Sequence, residues 1–207
     1  MTIYLDHNAT TPLRREVWEA MAAVEFGDTP RANASSVHRL GLATRRHLTA
    51  AREVVAQVLG AAPGEIVFTG GGSEAINLAL KGAVWASDRL HPHLVTTAVE
   101  HHAVHHALDW LATQGCAITR CPVDVTGRVA PQAVAEAITK DTLLVSVMLV
   151  NNEVGTIQPV AEIGALCRER GVLFHVDAVQ GVGKLPVNVE AIQCDLLTLS
   201  AHKLQGP

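Results

Sequence analysis

The chain has 207 residues, of which 48% are hydrophobic and 17% charged, and its formal net charge is −4. This composition supports one sizeable hydrophobic core and argues against a disordered chain. The charges form no basic stripe, and the aromatic residues (3%) are too few to stack bases. Nucleic acid is therefore not an expected partner.

Neither a targeting signal nor a membrane segment is visible. The N-terminus has no basic segment followed by an apolar one, and no apolar run approaches the roughly 20 residues of a membrane helix. We therefore expect a soluble, cytoplasmic protein without membrane contact. The four cysteines, Cys116, Cys121, Cys167 and Cys194, form no Cys-x-x-Cys pair, which is typical of inert thiols in a reducing compartment.

Short apolar runs alternate with helical patterns along the chain. Strands are predicted at 65–69, 93–99, 142–150, 172–178 and 195–200. Helices are predicted at 45–60, 73–90, 101–115, 131–139 and 159–171. This alternation predicts an α/β fold with a largely parallel sheet. In such a sheet the chemistry collects beyond the carboxyl ends of the strands, so the residues there are the functional candidates.

The first strand end carries a glycine turn, Gly70-Gly71-Gly72-Ser73, before a helix. Glycines allow a tight turn with inward N–H groups, and a helix N-terminus favours an anion, so the turn is suited to a phosphate. A plain turn with Ser73 as the helix N-cap is the structural alternative. The turn and Ala75 also satisfy the dinucleotide fingerprint, but a nicotinamide-binding module fits badly because the next strand-end acid, Glu100, lies about 30 residues beyond Gly70.

Histidines follow the second strand. His101 and His102 stand at its end, and His105 and His106 follow one helical turn later. Pairs at this spacing can bind zinc, although several histidines on one helix are more often solvated. His101 alone could instead lie flat against a planar ligand.

An acid and an amine follow the later strands. A carboxylate such as Asp177 is costly to bury unpaired, so it is expected to face a cation or a protonated ring nitrogen unless it caps a local turn. Lys203 follows the last strand; a partly desolvated lysine amine can condense with an aldehyde, although a lone lysine there is usually a surface charge. One ligand, pyridoxal phosphate, would use all of these groups: a turn for its phosphate, a flat His101 for its ring, an acid for its ring nitrogen and an amine for its aldehyde.

At these residues the chain resembles the cysteine desulfurase family, in the class V group of fold-type I pyridoxal-phosphate enzymes. The resemblance covers essentially the whole chain, and the order and spacing of its motifs are more specific than any single motif. The motifs are YLDHNATTP (4–12), NASSVHRLG (33–41), IVFTGGGSEAINLALKG (66–82), EHHAV (100–104), VNNEVGTIQP (150–159), FHVDAVQGVGK (174–184) and LSAHKLQGP (199–207).

This resemblance implies roles for nine residues and no metal. Lys203 would attach the cofactor covalently, Asp177 would pair with the pyridine nitrogen and His101 would stack on the ring. Lys203 and His101 would also be the catalytic proton carriers. The remaining cofactor-binding residues would be Gly72, Ser73, Ser200 and His202 at the phosphate, and Asn152 and Gln180 at the ring substituents.

The implied fold is the large domain of a fold-type I transferase: an α/β fold with a mostly parallel, seven-stranded type of sheet sandwiched by helices, truncated at its C-terminal end. Residues 1–207 would form the N-terminal part of this domain, with the small domain and the C-terminal half absent. None of the four cysteines stands where the family's sulfur-accepting cysteine belongs. The fragment alone is therefore expected to be inactive.

The implied activity is the removal of sulfur from L-cysteine, which yields L-alanine and an enzyme persulfide. The sulfur would pass to an iron–sulfur scaffold or another acceptor protein, and the full-length protein would be a homodimer. Another class V enzyme, a selenocysteine lyase or an aminotransferase, is an alternative because the cofactor site alone does not decide the substrate. A non-catalytic chain that binds pyridoxal phosphate is a further alternative.

Two stretches depart from the family pattern. The residues DTPRA (28–32) intervene before the second motif, where Ala34 replaces a proline, so the local loop can differ. The phosphate turn has Ala75 in place of a serine and so loses a hydroxyl.

Overall fold

A computed structural model describes residues 3–27 and 32–207. The chain divides into two compact units, one of Met1–Phe68 with Ala201–Pro207 and the other of Thr69–Ser200. The departure from the family pattern at 28–32 lies, apart from Ala32, outside the described residues.

The first unit contains the helices α1 (Arg15–Phe26) and α2 (Arg39–Leu59). α2 confirms the helix predicted at 45–60 and begins earlier, at a cap where the Gly41 N–H donates to the His38 ring. It ends at Gly60, whose φ of 70° is the left-handed conformation that glycine adopts at low cost. α1 is absent from the predicted elements, and none of its residues is buried.

The strand predicted at 65–69 is wrong. Glu65 ends a short 3-10 helix, and residues 66–69 pair with no strand among the described residues. A strand depends on hydrogen bonds to a neighbouring strand. Here Arg52 of α2 binds the segment instead: its Nε donates to the Ile66 carbonyl at 3.2 Å, and its guanidinium lies 5.2 Å from the centre of the Phe68 ring.

The second unit contains a five-stranded sheet. Its strands are β1 (His93–Thr97), β2 (Ala117–Cys121), β3 (Thr142–Met148), β4 (Leu173–Asp177) and β5 (Leu196–Thr198). They are ordered β2-β1-β3-β4-β5, and every neighbouring pair is parallel. The parallel α/β fold and four predicted strands are thus confirmed. The described residues hold five strands where the family resemblance implied a seven-stranded type of sheet.

Helices pack against both faces of this sheet. They are α3 (Gly72–Trp85), α4 (His102–Thr113), α5 (Pro131–Ala137), α6 (Val160–Arg170) and the short α7 (Val189–Ile192). Successive strand residues point to opposite faces. Leu173 accordingly packs with α3 and α4. Phe174 faces α6 instead, and its ring would lie 3.3 Å from a Cβ added to Gly164 of that helix.

The four helices predicted between the strands, at 73–90, 101–115, 131–139 and 159–171, are therefore confirmed, with shorter bounds. β2 and α7 were not predicted. β2 lies at the sheet edge and only Cys121 in it is fully buried, so its sequence lacks a continuous apolar run. Of the helices in the described residues, none has the length and apolar character needed to cross a membrane.

Candidate cofactor site

In the second unit, several predicted site residues lie at the carboxyl ends of the strands. β1, β3, β4 and β5 are parallel neighbours, so their carboxyl ends lie side by side. In the register, Met148 of β3 pairs with Asp177 of β4, which pairs with Thr198 of β5. The predicted residues at or just after these strand ends are His101, Asn152, Asp177, Gln180 and Ser200.

The glycine turn at the start of α3 lies next to Ser200. Gly71, with φ of 154°, is the N-cap of α3, so the alternative in which Ser73 is the N-cap is wrong. The N–H groups of Gly72 and Ser73 donate no hydrogen bond within the described part of the chain. A Cβ added to Gly72 would lie 3.3 Å from the Val179 side chain and 3.4 Å from the Ser200 Cβ. A larger side chain at position 72 would therefore crowd the space beside the Ser200 hydroxyl.

Asp177 and Gln180 are both buried after β4, at 4% and 6% exposure. Oδ1 of Asp177 accepts the Val179 N–H at 3.0 Å and so caps the local turn. This turn role does not exclude a ligand, because a carboxylate has two oxygens and several acceptor sites. Oε1 of Gln180 accepts from Nζ of Lys184 at 2.6 Å.

His101 and Asn152 lie nearer the surface. His101 is exposed and caps α4, with its Nδ1 accepting the Ala103 N–H at 3.2 Å. Asn152 is half-buried, and its Nδ2 donates to the Glu153 carboxylate at 3.0 Å. The cap engages one ring nitrogen of His101, and the ring lies tilted to that of His102, with the ring centres 6.0 Å apart.

The zinc alternative concerns the histidines of α4. The rings of His102 and His106 stack with their centres 5.9 Å apart. Across the described ranges, no group of three or more metal-ligating side chains comes together. The zinc interpretation therefore has no structural support.

His202 and Lys203 belong to the first unit, in a 3-10 helix at Ala201–Lys203. Nζ of Lys203 donates to the Ala9 carbonyl at 2.7 Å and also to the Asn8 carbonyl. Nδ1 of His202 lies 3.1 Å from the Thr10 hydroxyl, and burial, followed by the Lys203 charge, lowers the pKa of His202. The motif at 4–12 thus binds the lysine segment through both side chains.

The chain is similar to known proteins over nearly its whole length. The Aminotransferase class-V family matches residues 3–207. The chain belongs to this family. It is 44% identical to Cysteine desulfurase IscS of Methanosarcina thermophila, over 99% of this chain and 50% of the relative. It is 47% identical to Putative cysteine desulfurase IscS 1 of Bacillus subtilis (strain 168), over 99% of this chain and 54% of the relative.

A solved structure described as SspA in complex with cysteine matches with a TM-score of 0.95 and 38% identity, over 100% of this chain and 59% of that chain. The chain therefore spans about half the length of the curated relatives it matches. The class V match replaces the nicotinamide-binding interpretation, which also required a strand before the glycine turn.

In this class V chain, two buried side chains near Asp177 were not among the predicted site residues. Glu100, after β1, has its Oε1 accepting from the Thr97 hydroxyl at 2.6 Å. His175, two residues before Asp177, has its Nδ1 2.8 Å from the Ser146 hydroxyl, and burial lowers its pKa to about 4. The signal that singled out Asp177, an acid at the end of an apolar strand, applies equally to Glu100.

The cysteines of the chain are poor nucleophiles. Cys116, Cys121 and Cys167 are buried and Cys194 is half-buried, all as free thiols. Burial, with the nearby Asp195 charge, raises the pKa of Cys167 to about 12. Burial and the same charge also raise the pKa of Cys194, to about 11, although a backbone hydrogen bond partly offsets the increase. Only the thiolate attacks, so at neutral pH these residues are almost wholly in the unreactive form.

We expect Cys167 to resist alkylation in the native chain. Its pKa of about 12 leaves about a thousandfold less thiolate at pH 8 than an ordinary cysteine has. Native and urea-unfolded chain are treated with iodoacetamide at pH 8, and peptide mass spectrometry measures modification at each cysteine. Cys167 is expected to react only after unfolding. Comparable native and unfolded rates at Cys167 would contradict the inertness of this thiol.

Proposed function

We propose that this chain is the cofactor-binding part of a pyridoxal-phosphate-dependent cysteine desulfurase. The observation that carries the proposal is the similarity, over nearly the whole chain, to relatives named cysteine desulfurase. The structural match to SspA in complex with cysteine supports L-cysteine as the substrate. Transfer of the sulfur to an iron–sulfur scaffold or another acceptor protein, homodimer formation by the full-length protein and a reducing cytoplasm complete the proposal.

The residues of the second unit fit the phosphate and the ring of this cofactor. Phosphate favours a helix N-terminus with N–H groups that lack other partners, and Gly72 and Ser73 offer such groups beside the Ser200 hydroxyl. The buried Asp177 carboxylate suits a protonated ring nitrogen. Gln180, Asn152 and the exposed His101 ring are proposed to contact the ring and its substituents.

Lys203 is proposed to attach the cofactor, with His202 at the phosphate. Lys203 follows Ser200 by three residues, so the covalent chain keeps their Cα atoms within about 11 Å. When bound, pyridoxal phosphate supplies an electron sink for the substrate's α-carbon. Lys203 and His101 are the proposed proton carriers, and Asp177 holds the ring nitrogen in its protonated form.

We further propose that the sulfur-accepting cysteine is not among Cys116, Cys121, Cys167 and Cys194, because their environments suppress the thiolate. On this proposal, residues 1–207 form the N-terminal part of the large domain. The chain by itself binds cofactor and substrate and does not turn over.

The proposal is tested by adding pyridoxal phosphate and then L-cysteine to the purified chain. A visible absorbance band that gel filtration does not remove is expected with the cofactor, and L-cysteine is expected to change it. D-cysteine is the matched control, because free cofactor reacts equally with both enantiomers while a folded site distinguishes them. Alanine release from L-cysteine is expected to stay at background.

Each part of the proposal can fail separately. A folded chain that gives no band has no cofactor site of its own. A band that responds identically to both enantiomers contradicts cysteine recognition. A stronger response to L-selenocysteine, or amino transfer to a 2-oxo acid, would favour a selenocysteine lyase or an aminotransferase within class V. Sustained alanine release would contradict the proposed absence of a sulfur acceptor.

A further inference from the structure

Glu100 is a buried carboxyl group whose two oxygens differ in their surroundings. The residue is only 6% exposed. Its Oε1 accepts two hydrogen bonds, from the Thr97 hydroxyl at 2.6 Å and from the Met148 N–H at 3.0 Å. Its Oε2 is fully buried and has no hydrogen-bond partner among the described residues. A negative charge shared with such an oxygen is costly, whereas a neutral acid in the same place costs much less.

The sheet places this acid next to Asp177. Met148, whose N–H binds Glu100, is the register partner of Asp177 on the adjoining strand. The two carboxyl groups interact electrostatically, and Asp177 is the charged group that acts on Glu100. Asp177 differs in that neither of its oxygens is among the buried side-chain atoms that lack a hydrogen-bond partner in the described residues, and its Oδ1 accepts the Val179 N–H.

Two neighbouring buried carboxyl groups cannot both ionise cheaply, because like charges repel strongly where water is excluded. The residue whose oxygen is buried without a donor keeps the proton, which is Glu100, and the other keeps the charge. Burial, partly offset by the bonds from Thr97 and Met148 and reinforced by the Asp177 charge, raises the pKa of Glu100 to about 8.

We propose that Glu100 holds a proton at neutral pH and that this neutral acid is a positioning residue which keeps Asp177 ionised. The inference rests on the proposed function, in which the Asp177 carboxylate faces the cofactor's ring nitrogen. An ionised Glu100 would raise the proton affinity of Asp177 and weaken that pairing. Glu100 itself touches neither cofactor nor substrate in this account.

Carboxyl NMR of the chain without cofactor tests the proposal. Two samples are prepared, one with glutamate and one with aspartate labelled with carbon-13 at the side-chain carboxyl. In the glutamate sample, one resonance is expected to remain in the protonated position at pH 6.5 and to titrate with a midpoint near 8. It should vanish in Glu100→Gln and persist in the control Glu162→Gln, which changes an exposed acid in the first turn of α6.

In the aspartate sample, Asp177, assigned with Asp177→Asn, is expected to be ionised at pH 6.5. Its resonance is expected to shift as Glu100 titrates near pH 8 and to lose that shift in Glu100→Gln. If Glu100→Gln does not fold, as judged by circular dichroism, the two wild-type samples still show which residue type holds the proton.

Three results would overturn the proposal: every glutamate ionised at pH 6.5, the protonated resonance found in the aspartate sample, or an Asp177 resonance that ignores the Glu100 titration. These measurements need no cofactor. A failure of pyridoxal-phosphate binding would therefore be recorded separately, as a failure of the proposed function.

Discussion

Lys203→Ala is expected to reduce borohydride-fixed pyridoxal phosphate on the chain to background. The alanine side chain has no amine to form the covalent attachment. The measurement is the mass increase of the intact chain after borohydride treatment, with peptide mapping to locate the label. Non-covalent binding through the proposed phosphate-binding residues is expected to survive in part, because Gly72, Ser73 and Ser200 are unchanged.

Lys140→Ala is the matched control, since it removes an exposed lysine at the other end of β3. It should carry as much label as the wild type. Lys203 also binds the Asn8 and Ala9 carbonyls, so circular dichroism must show that the variant is folded. Full labelling of a folded Lys203→Ala chain would place the attachment on another residue and remove the central assignment of the site.

Asp177→Asn is expected to weaken pyridoxal-phosphate binding by about 10- to 150-fold. Loss of a charge-assisted hydrogen bond costs about 1.5–3 kcal/mol, and each 1.4 kcal/mol is tenfold in affinity. Asparagine matches the shape of aspartate, and its amide oxygen can still accept the Val179 N–H that Oδ1 accepts. Any loss of affinity in this variant therefore measures the contribution of the negative charge of Asp177. The dissociation constant is measured by absorbance titration.

Asp141→Asn, at an exposed position before β3, serves as the control and should bind the cofactor like the wild type. Asp177→Glu keeps the charge and is expected to lose less affinity than Asp177→Asn despite its longer side chain. Equal affinity of wild type and a folded Asp177→Asn chain would show that Asp177 only caps its turn.

The strands show what local sequence can predict. β1, β3, β4 and β5 were predicted because each is a short apolar run, as strands covered on both faces must be. The run at 65–69 has the same character and forms no strand, because among the described residues no strand lies beside it and Arg52 binds it instead. β2 is the opposite case: its sequence gives only a weak strand signal, yet it forms a strand that pairs with β1 at the sheet edge.

For the candidate site too, some features could be predicted from the sequence and others could not. The chain alone determined which family motifs are present and which residues follow β1, β3, β4 and β5, because the motifs and these apolar runs are properties of residue order. It did not place the glycine turn, because the strand predicted before it at 65–69 does not form. Only the tertiary structure decided that Gly72 lies against Ser200, that Asp177 is buried, and that Glu100 shares its strand-end environment through Met148. These facts depend on strand register and helix packing, which join residues far apart in sequence, so no local pattern contains them.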